Sequence, residues 1–157
     1  MMQATVPVLL TFLAAFLNGL LAGASLDQSI KQLPARHRMG VIAFSAYSRA
    51  ADLSSNGIAW YAFIGVGSAL LTIVAAIATF VAGNAQTLPI LIAAILSVLH
   101  SFTTTQAAPT NFRQRKVAND EAALTAIFNK FERWQTLRAI LQVLTFIATL
   151  WAIFVLG

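Results

Sequence analysis

LSSNGIAWYAFIGVGSALLTIVAAIATFVAGNAQTLPILIAAILSVLHSFTTTQAAPTNF, residues 53–112, contains no Lys, Arg, Asp or Glu. A helix needs about 20 predominantly apolar residues to cross the hydrocarbon core of a bilayer. This run is long enough for two crossings, and turn-forming residues at 83–87 lie near its centre. On either side, residues 1–26 and 139–157 are also free of charged side chains, and each fits one crossing. The sequence therefore predicts an all-α, polytopic membrane four-helix bundle, a single membrane domain over residues 1–157. Its spans are expected at about 5–26, 57–82, 88–107 and 134–156.

The 157-residue chain is 59% hydrophobic and only 10% charged, against roughly 25% charged in a soluble globular domain. Ten Lys and Arg and five Asp and Glu give a net charge of +5. In a soluble protein that balance would suggest nucleic acid, but here the basic residues are confined to two segments, about 27–56 and 108–133, and the start of the fourth span. Four spans put both segments on one side, and the positive-inside rule makes that side cytoplasmic. The expected location is a cell (plasma or inner) membrane, such as a bacterial inner membrane, with both termini outside. The first apolar run lacks a basic leader and exceeds the usual hydrophobic core of a signal peptide, so it reads as a retained helix. With no cysteine, disulfides and Cys-ligated zinc or iron–sulfur centres are excluded.

Both charged segments look folded. Pro34 is expected to end any extension of the first helix. Residues 39–51 then read as an additional amphipathic cytoplasmic helix, with Arg38, Ser45, Arg49 and Asp52 along one stripe. Residues 52–57 supply turn formers and a cap for the second span. Pro109-Thr-Asn111 is expected to stop the third helix. Asn119-Asp-Glu121 caps a fourth that runs to Leu156 without Pro or Gly.

Polar side chains within the spans follow helical faces. Thr11, Asn18, Ser25 and Gln32 mark the first; Tyr61, Gly65, Ser68, Thr72 and Thr79 the second; Ser97, His100 and Thr104 the third; Trp134, Arg138, Gln142, Thr145 and Thr149 the fourth. These faces suit a common interior. For the small and hydroxyl residues close helix packing is the plain explanation. Asn18, His100 and Gln142 demand more, because burying an amide or imidazole without a partner costs about 1–3 kcal/mol. Ordinary interhelical hydrogen bonds and a ligand site both satisfy that demand. Arg138, about one turn inside the fourth span, either snorkels to the interface or faces an anionic partner. No carboxylate falls in the expected hydrocarbon region, which argues against a carboxylate-coupled transporter. There is no phosphate-binding glycine motif and no histidine pair at metal-ligand spacing. A site from His37 and His100 would require the loop helix to fold over the cytoplasmic mouth.

The run Thr103-Thr-Thr-Gln-Ala-Ala-Pro109-Thr-Asn111, followed by Phe131-Glu-Arg-Trp134-Gln-Thr-Leu-Arg138 and a final apolar helix, resembles the anthrone oxygenase-like family of small four-helix membrane proteins. The first half is similar as well, with a Gly-containing first helix, Leu33-Pro34 and a Tyr47-to-Asp52 segment. The resemblance implies a monooxygenase that converts an anthrone to an anthraquinone without a conventional cofactor, although most bacterial members have no assigned activity. It carries over Asn111, Arg133, Trp134 and Arg138 as matching positions. Cofactor-free oxygenation needs a base to deprotonate an activated phenol or enol, and a cation or hydrogen-bond donor to stabilise the anion. His100 is the expected base and Arg138 the expected stabiliser. Asn18, Tyr61, Thr104, Asn111, Trp134 and Gln142 are the expected binding residues.

The expected function is thus an intramembrane pocket for a small apolar or aromatic, quinone- or anthrone-like molecule. The alternative is a non-enzymatic lipid-binding, accessory or assembly protein whose polar stripes only pack helices. No cofactor or metal is expected, with haem or a metal at His100 left open. The expected partners are membrane lipid and a small hydrophobic ligand, not nucleic acid; a homo-oligomer is compatible with the chain.

Overall fold

The computed structural model describes residues 2–84, 87–117 and 119–156. In chain order, α1 spans Met2–Asp27 and passes into a π-helical turn, Gln28–Gln32. Two short helices, α2 (Leu33–Met39) and α3 (Val41–Ala50), follow. The second long helix is α4 (Ser55–Val81), the third α5 (Leu88–Phe112), which ends in a 3₁₀ turn at Arg113–Lys116, and the fourth α6 (Glu121–Leu156). The described residues contain no strand, and four of the helical stretches are long and apolar enough to cross a membrane. The turn expected between the middle spans includes Ala85 and Gln86, which lie outside the described residues.

The four long helices form a ring in which α1 packs on α4 and α6, and α5 on α6 and α4. The two ends of the ring are built differently. Near the α4–α5 turn the core consists of Ala75, Ala76, Ile90, Ala93, Ala148 and Ala152, whose small side chains let helix backbones approach closely. At the other end, Leu33, Phe44, Ala107, Leu124, Phe128 and Phe131 bring α2, α3, α5 and the first turns of α6 into one cluster. All fifteen charged side chains belong to this end of the chain's path, in residues 27–52 and 113–138. Arg115 ties the two segments together by donating to the Leu53 carbonyl. Arg36, almost fully buried, pairs with Glu132 and donates to Asn129 Oδ1 at 2.9 Å.

Three local expectations are corrected. Pro34 does not end the first helical stretch. It occupies the first turn of α2, immediately after the π turn, where the Leu33 amide donates to the Gln28 carbonyl five residues back. The wider turn accommodates the residue that cannot donate. Pro109 does not stop α5 either, since the helix continues to Phe112. A buried lock holds it there: Gln114 Nε2 donates to Asn111 Oδ1 at 2.7 Å and to Ser48 Oγ at 3.3 Å, and Ser45 Oγ donates to Gln114 Oε1 at 3.0 Å. The loop helix starts at Val41, because Gly40 has φ +82°, a conformation that L side chains rarely adopt. Arg38 therefore belongs to α2. The polar stripe of α3 also faces inward: Ser45 and Ser48 are buried, while Ile42 and Tyr47 are exposed.

Entry into α4 is fixed by Ser54, whose hydroxyl accepts from the Gly57 amide at 3.0 Å. A Cβ on Gly57 would stand 2.2 Å from the Ala51 carbonyl oxygen, so only glycine lets α4 begin so tightly against the preceding turn. At the start of α6, Asp120 Oδ1 accepts from the Ala123 amide at 2.9 Å. With about 1.5 Å of rise per residue, the 36 residues of α6 extend about 54 Å, well beyond a hydrocarbon core of about 30 Å.

Candidate functional site

Of the four adjacent helix pairs, α4 and α5 make the sparsest contact. A cavity of about 520 Å³ occupies that gap. Its walls are mostly apolar, from α4 residues between Ile58 and Leu70 and from α5 residues between His100 and Phe112. Leu21, Phe131, Arg138 and Gln142 close its inner side, and Gln28, Asp52 and Leu53 lie at its charged end. Val66 and Leu70, which also line the cavity, are both more than half exposed on the outside of the bundle.

Three inner-wall side chains present a buried polar atom with no protein partner: His100 Nδ1, Arg138 Nε and Gln142 Oε1. His100 is 2% exposed, and its Nε2 lies 3.3 Å from Ser97 Oγ. In the tautomer with Nε2–H donating to Ser97, Nδ1 directs a free lone pair away from that bond. Arg138 does not snorkel away from the site. Its Nη2 donates to Gln28 Oε1 at 3.3 Å, and Gln28 Nε2 reaches Asp52 Oδ2 at 3.5 Å. His100 and Arg138 line the same cavity from α5 and α6. Neither ion pair among the described residues, Lys31–Asp27 or Arg36–Glu132, involves Arg138. Asp52 also accepts from Ser48 Oγ at 3.2 Å. Burial holds its carboxyl above the ordinary carboxylate range, while the Ser48 and Gln28 hydrogen bonds and the Arg138 charge oppose that shift.

Six of the eight expected site residues line the cavity: His100, Arg138, Tyr61, Thr104, Asn111 and Gln142. The other two do not. Asn18 is buried between α1 and α4, where its Nδ2 donates to Thr72 Oγ1 and to the Ala14 carbonyl, both at 2.8 Å. Its amide joins helices. Trp134 packs against the aromatic cluster at the charged end. Most hydroxyls in the stripes follow the packing explanation, because Thr72, Thr79, Thr104 and Thr145 each donate to the carbonyl four residues earlier. His37 is exposed on α2 and takes no part in the cavity, so the two histidines do not form a joint site. Among the described residues no three His, Cys, Asp or Glu side chains are grouped as metal ligands.

Sequence reasoning missed Gln28 and Asp52. Stepping the first-span stripe by sevens lands on Gln32, whereas the buried series Asn18, Leu21, Ser25 continues by an ordinary step of three to Gln28, and the π turn that starts there carries Gln32 off that face. Gln32 is turned toward Asp27 and donates to it at 2.7 Å. Asp52 falls both on the stripe with Arg38, Ser45 and Arg49 and in the turn before the second span, and neither spacing reveals that this turn folds under the cavity. No protein-family model matches this chain, and no curated protein or solved structure matches it. The resemblance to anthrone oxygenase-like proteins thus rests on the sequence segments alone.

Proposed function

We propose that this multi-pass membrane protein holds a small, largely apolar oxygenated molecule, of the phenol, quinone or anthrone type, in the cavity between α4 and α5. The supporting observation is that His100, Arg138 and Gln142, each with a buried polar atom lacking a protein partner, line one space with otherwise apolar walls. Unpaired buried polar groups are costly; a ligand hydroxyl would donate to one of the two acceptors, His100 Nδ1 or Gln142 Oε1, and accept from Arg138 Nε–H, while an apolar body fills the remainder. The finer reading is a cofactor-independent oxygenase. His100 removes a proton from the enol or phenol, Arg138 stabilises the resulting anion, and molecular oxygen oxidises that anion, one oxygen atom forming the new carbonyl and the other leaving as water with the two hydrogens of the original CH2. The opposing non-enzymatic reading draws on the self-satisfied hydroxyls and the Asn18–Thr72 bond, which account for much of the polar content as packing.

Titrating the detergent-solubilised protein with 1,8-dihydroxyanthrone, followed by the ligand's absorbance, tests the pocket. Saturable binding is expected, weakened about 10- to 100-fold in Arg138→Gln, the scale of a hydrogen bond to a charged group. No saturable binding of this or a related quinone favours the non-enzymatic reading.

The proposed orientation places the charged end on the cytoplasmic side of a cell (plasma or inner) membrane and the α4–α5 turn outside, a reading supported by the basic asymmetry. The chain contains no cysteine, so single cysteines report cleanly. Asn84→Cys should react with an impermeant maleimide on intact cells, and Lys116→Cys, exposed on the 3₁₀ turn, only after permeabilisation. The reverse pattern inverts the topology. Gln114 is unsuited to this assay because it is fully buried.

A further inference from the structure

One face of α6 is left uncovered where the helix leaves the bundle. A shallow groove there is lined by Ala126, Asn129, Lys130, Arg133, Trp134 and Leu137. Its composition is graded along the helix axis: cations first, then an indole, then the exposed apolar residues Leu137, Ile140 and Leu144. The one acid within this stretch, Glu132, is engaged by Arg36. Lys130 and Arg133 take part in neither ion pair found among the described residues. The groove thus has positive charge that the protein does not neutralise.

Distances along the helix fit the layers of a bilayer. Residues 139–156 carry no charge and rise about 27 Å, close to the roughly 30 Å of a hydrocarbon core. That places Leu137 near the core boundary. Arg133 and Lys130 then stand about 6 and 10 Å further out, level with a headgroup layer of roughly 5–8 Å and its outer edge. Trp134 lies between, at the depth where indoles concentrate. Arg138 is the next cation along the helix, but it turns inward to Gln28 and is not part of this face.

We infer that this face of α6 is a binding site for one anionic glycerophospholipid, with its phosphate between Lys130 and Arg133, its glycerol region against Trp134 and an acyl chain along Leu137, Ile140 and Leu144. Charge complementarity selects an anionic over a zwitterionic headgroup. The continuous apolar track below selects a lipid over a soluble phosphate. This site faces away from the cavity and does not depend on what the cavity binds.

The chain has three tryptophans, so Trp60→Phe/Trp151→Phe leaves Trp134 as the reporter. In vesicles of phosphatidylcholine with phosphatidylglycerol, brominated acyl chains on one lipid or the other quench Trp134 according to which lipid adjoins it. Phosphatidylglycerol should be preferred by about 5- to 30-fold, the scale of two basic residues at a membrane surface. Lys130→Gln/Arg133→Gln should bring the preference to near unity, and Lys130→Arg/Arg133→Lys should retain it. Arg113→Gln/Lys116→Gln, which removes the same charge elsewhere at this end, should leave it unchanged. Equal quenching by both lipids in the wild-type background overturns the site. So does an equal loss in both Gln pairs, which would mean a diffuse surface potential. Erasure of the preference by millimolar glycerol phosphate would overturn the lipid assignment in favour of a soluble anion.

Discussion

Replacing His100 with alanine is expected to lower oxygen uptake with 1,8-dihydroxyanthrone by about 10²–10⁴-fold, the usual contribution of one positioned base. Imidazole is the side chain whose ordinary pKa lies nearest neutrality, and His100 is the histidine that lines the cavity. Its Nε2 is oriented by Ser97 and its Nδ1 is left unpartnered, which is the arrangement a base requires. The protein should remain folded, because the deletion enlarges an existing cavity and Ser97 retains backbone carbonyls within reach. Equal rates in wild type and variant exclude His100 as the base. Absence of uptake by the wild type, with binding intact, removes the oxygenase reading and leaves the pocket.

The largest effect on stability is expected at Phe128. Its ring is 0% exposed and meets the Phe44 ring edge-on with centroids 5.0 Å apart, within the cluster that also holds Leu33, Leu124 and Phe131. This cluster lies on the part of α6 that extends beyond the core, where water is the competing solvent and burial of apolar surface drives association. Phe128→Ala should lower the unfolding free energy by about 3–5 kcal/mol, the range for truncating a buried aromatic side chain. Phe154 serves as the control, because it is 86% exposed on a surface that detergent or lipid covers. Denaturant titration in one detergent should separate the two variants. If Phe128→Ala is as silent as Phe154→Ala, the aromatic cluster does not hold the charged end together.

The fold was legible because the charges are so unevenly placed. Three uncharged runs and two basic segments leave little choice of architecture, and the long reach of α6 follows from the absence of Pro and Gly between Glu121 and Leu156. The site was legible only in part. A helical stripe shows which face turns inward, and that located His100, Tyr61, Thr104, Arg138 and Gln142. It does not show what an inward group meets, so Asn18, bonded to Thr72, was indistinguishable from a ligand-binding amide. Periodicity also assumes an unbroken α-helix, and the π turn violates that assumption between Gln28 and Gln32. Asp52 depends on how a loop folds beneath α4, information that no local spacing carries.

The unbroken course of α6 has a mechanical consequence. Glu132, clamped to Arg36, and the cavity groups Arg138 and Gln142 belong to one stiff rod with no hinge residue between them. A displacement imposed on α2 would therefore reach Arg138 and Gln142 together through the Arg36–Glu132 pair, since no Pro or Gly interrupts the helix that carries all three.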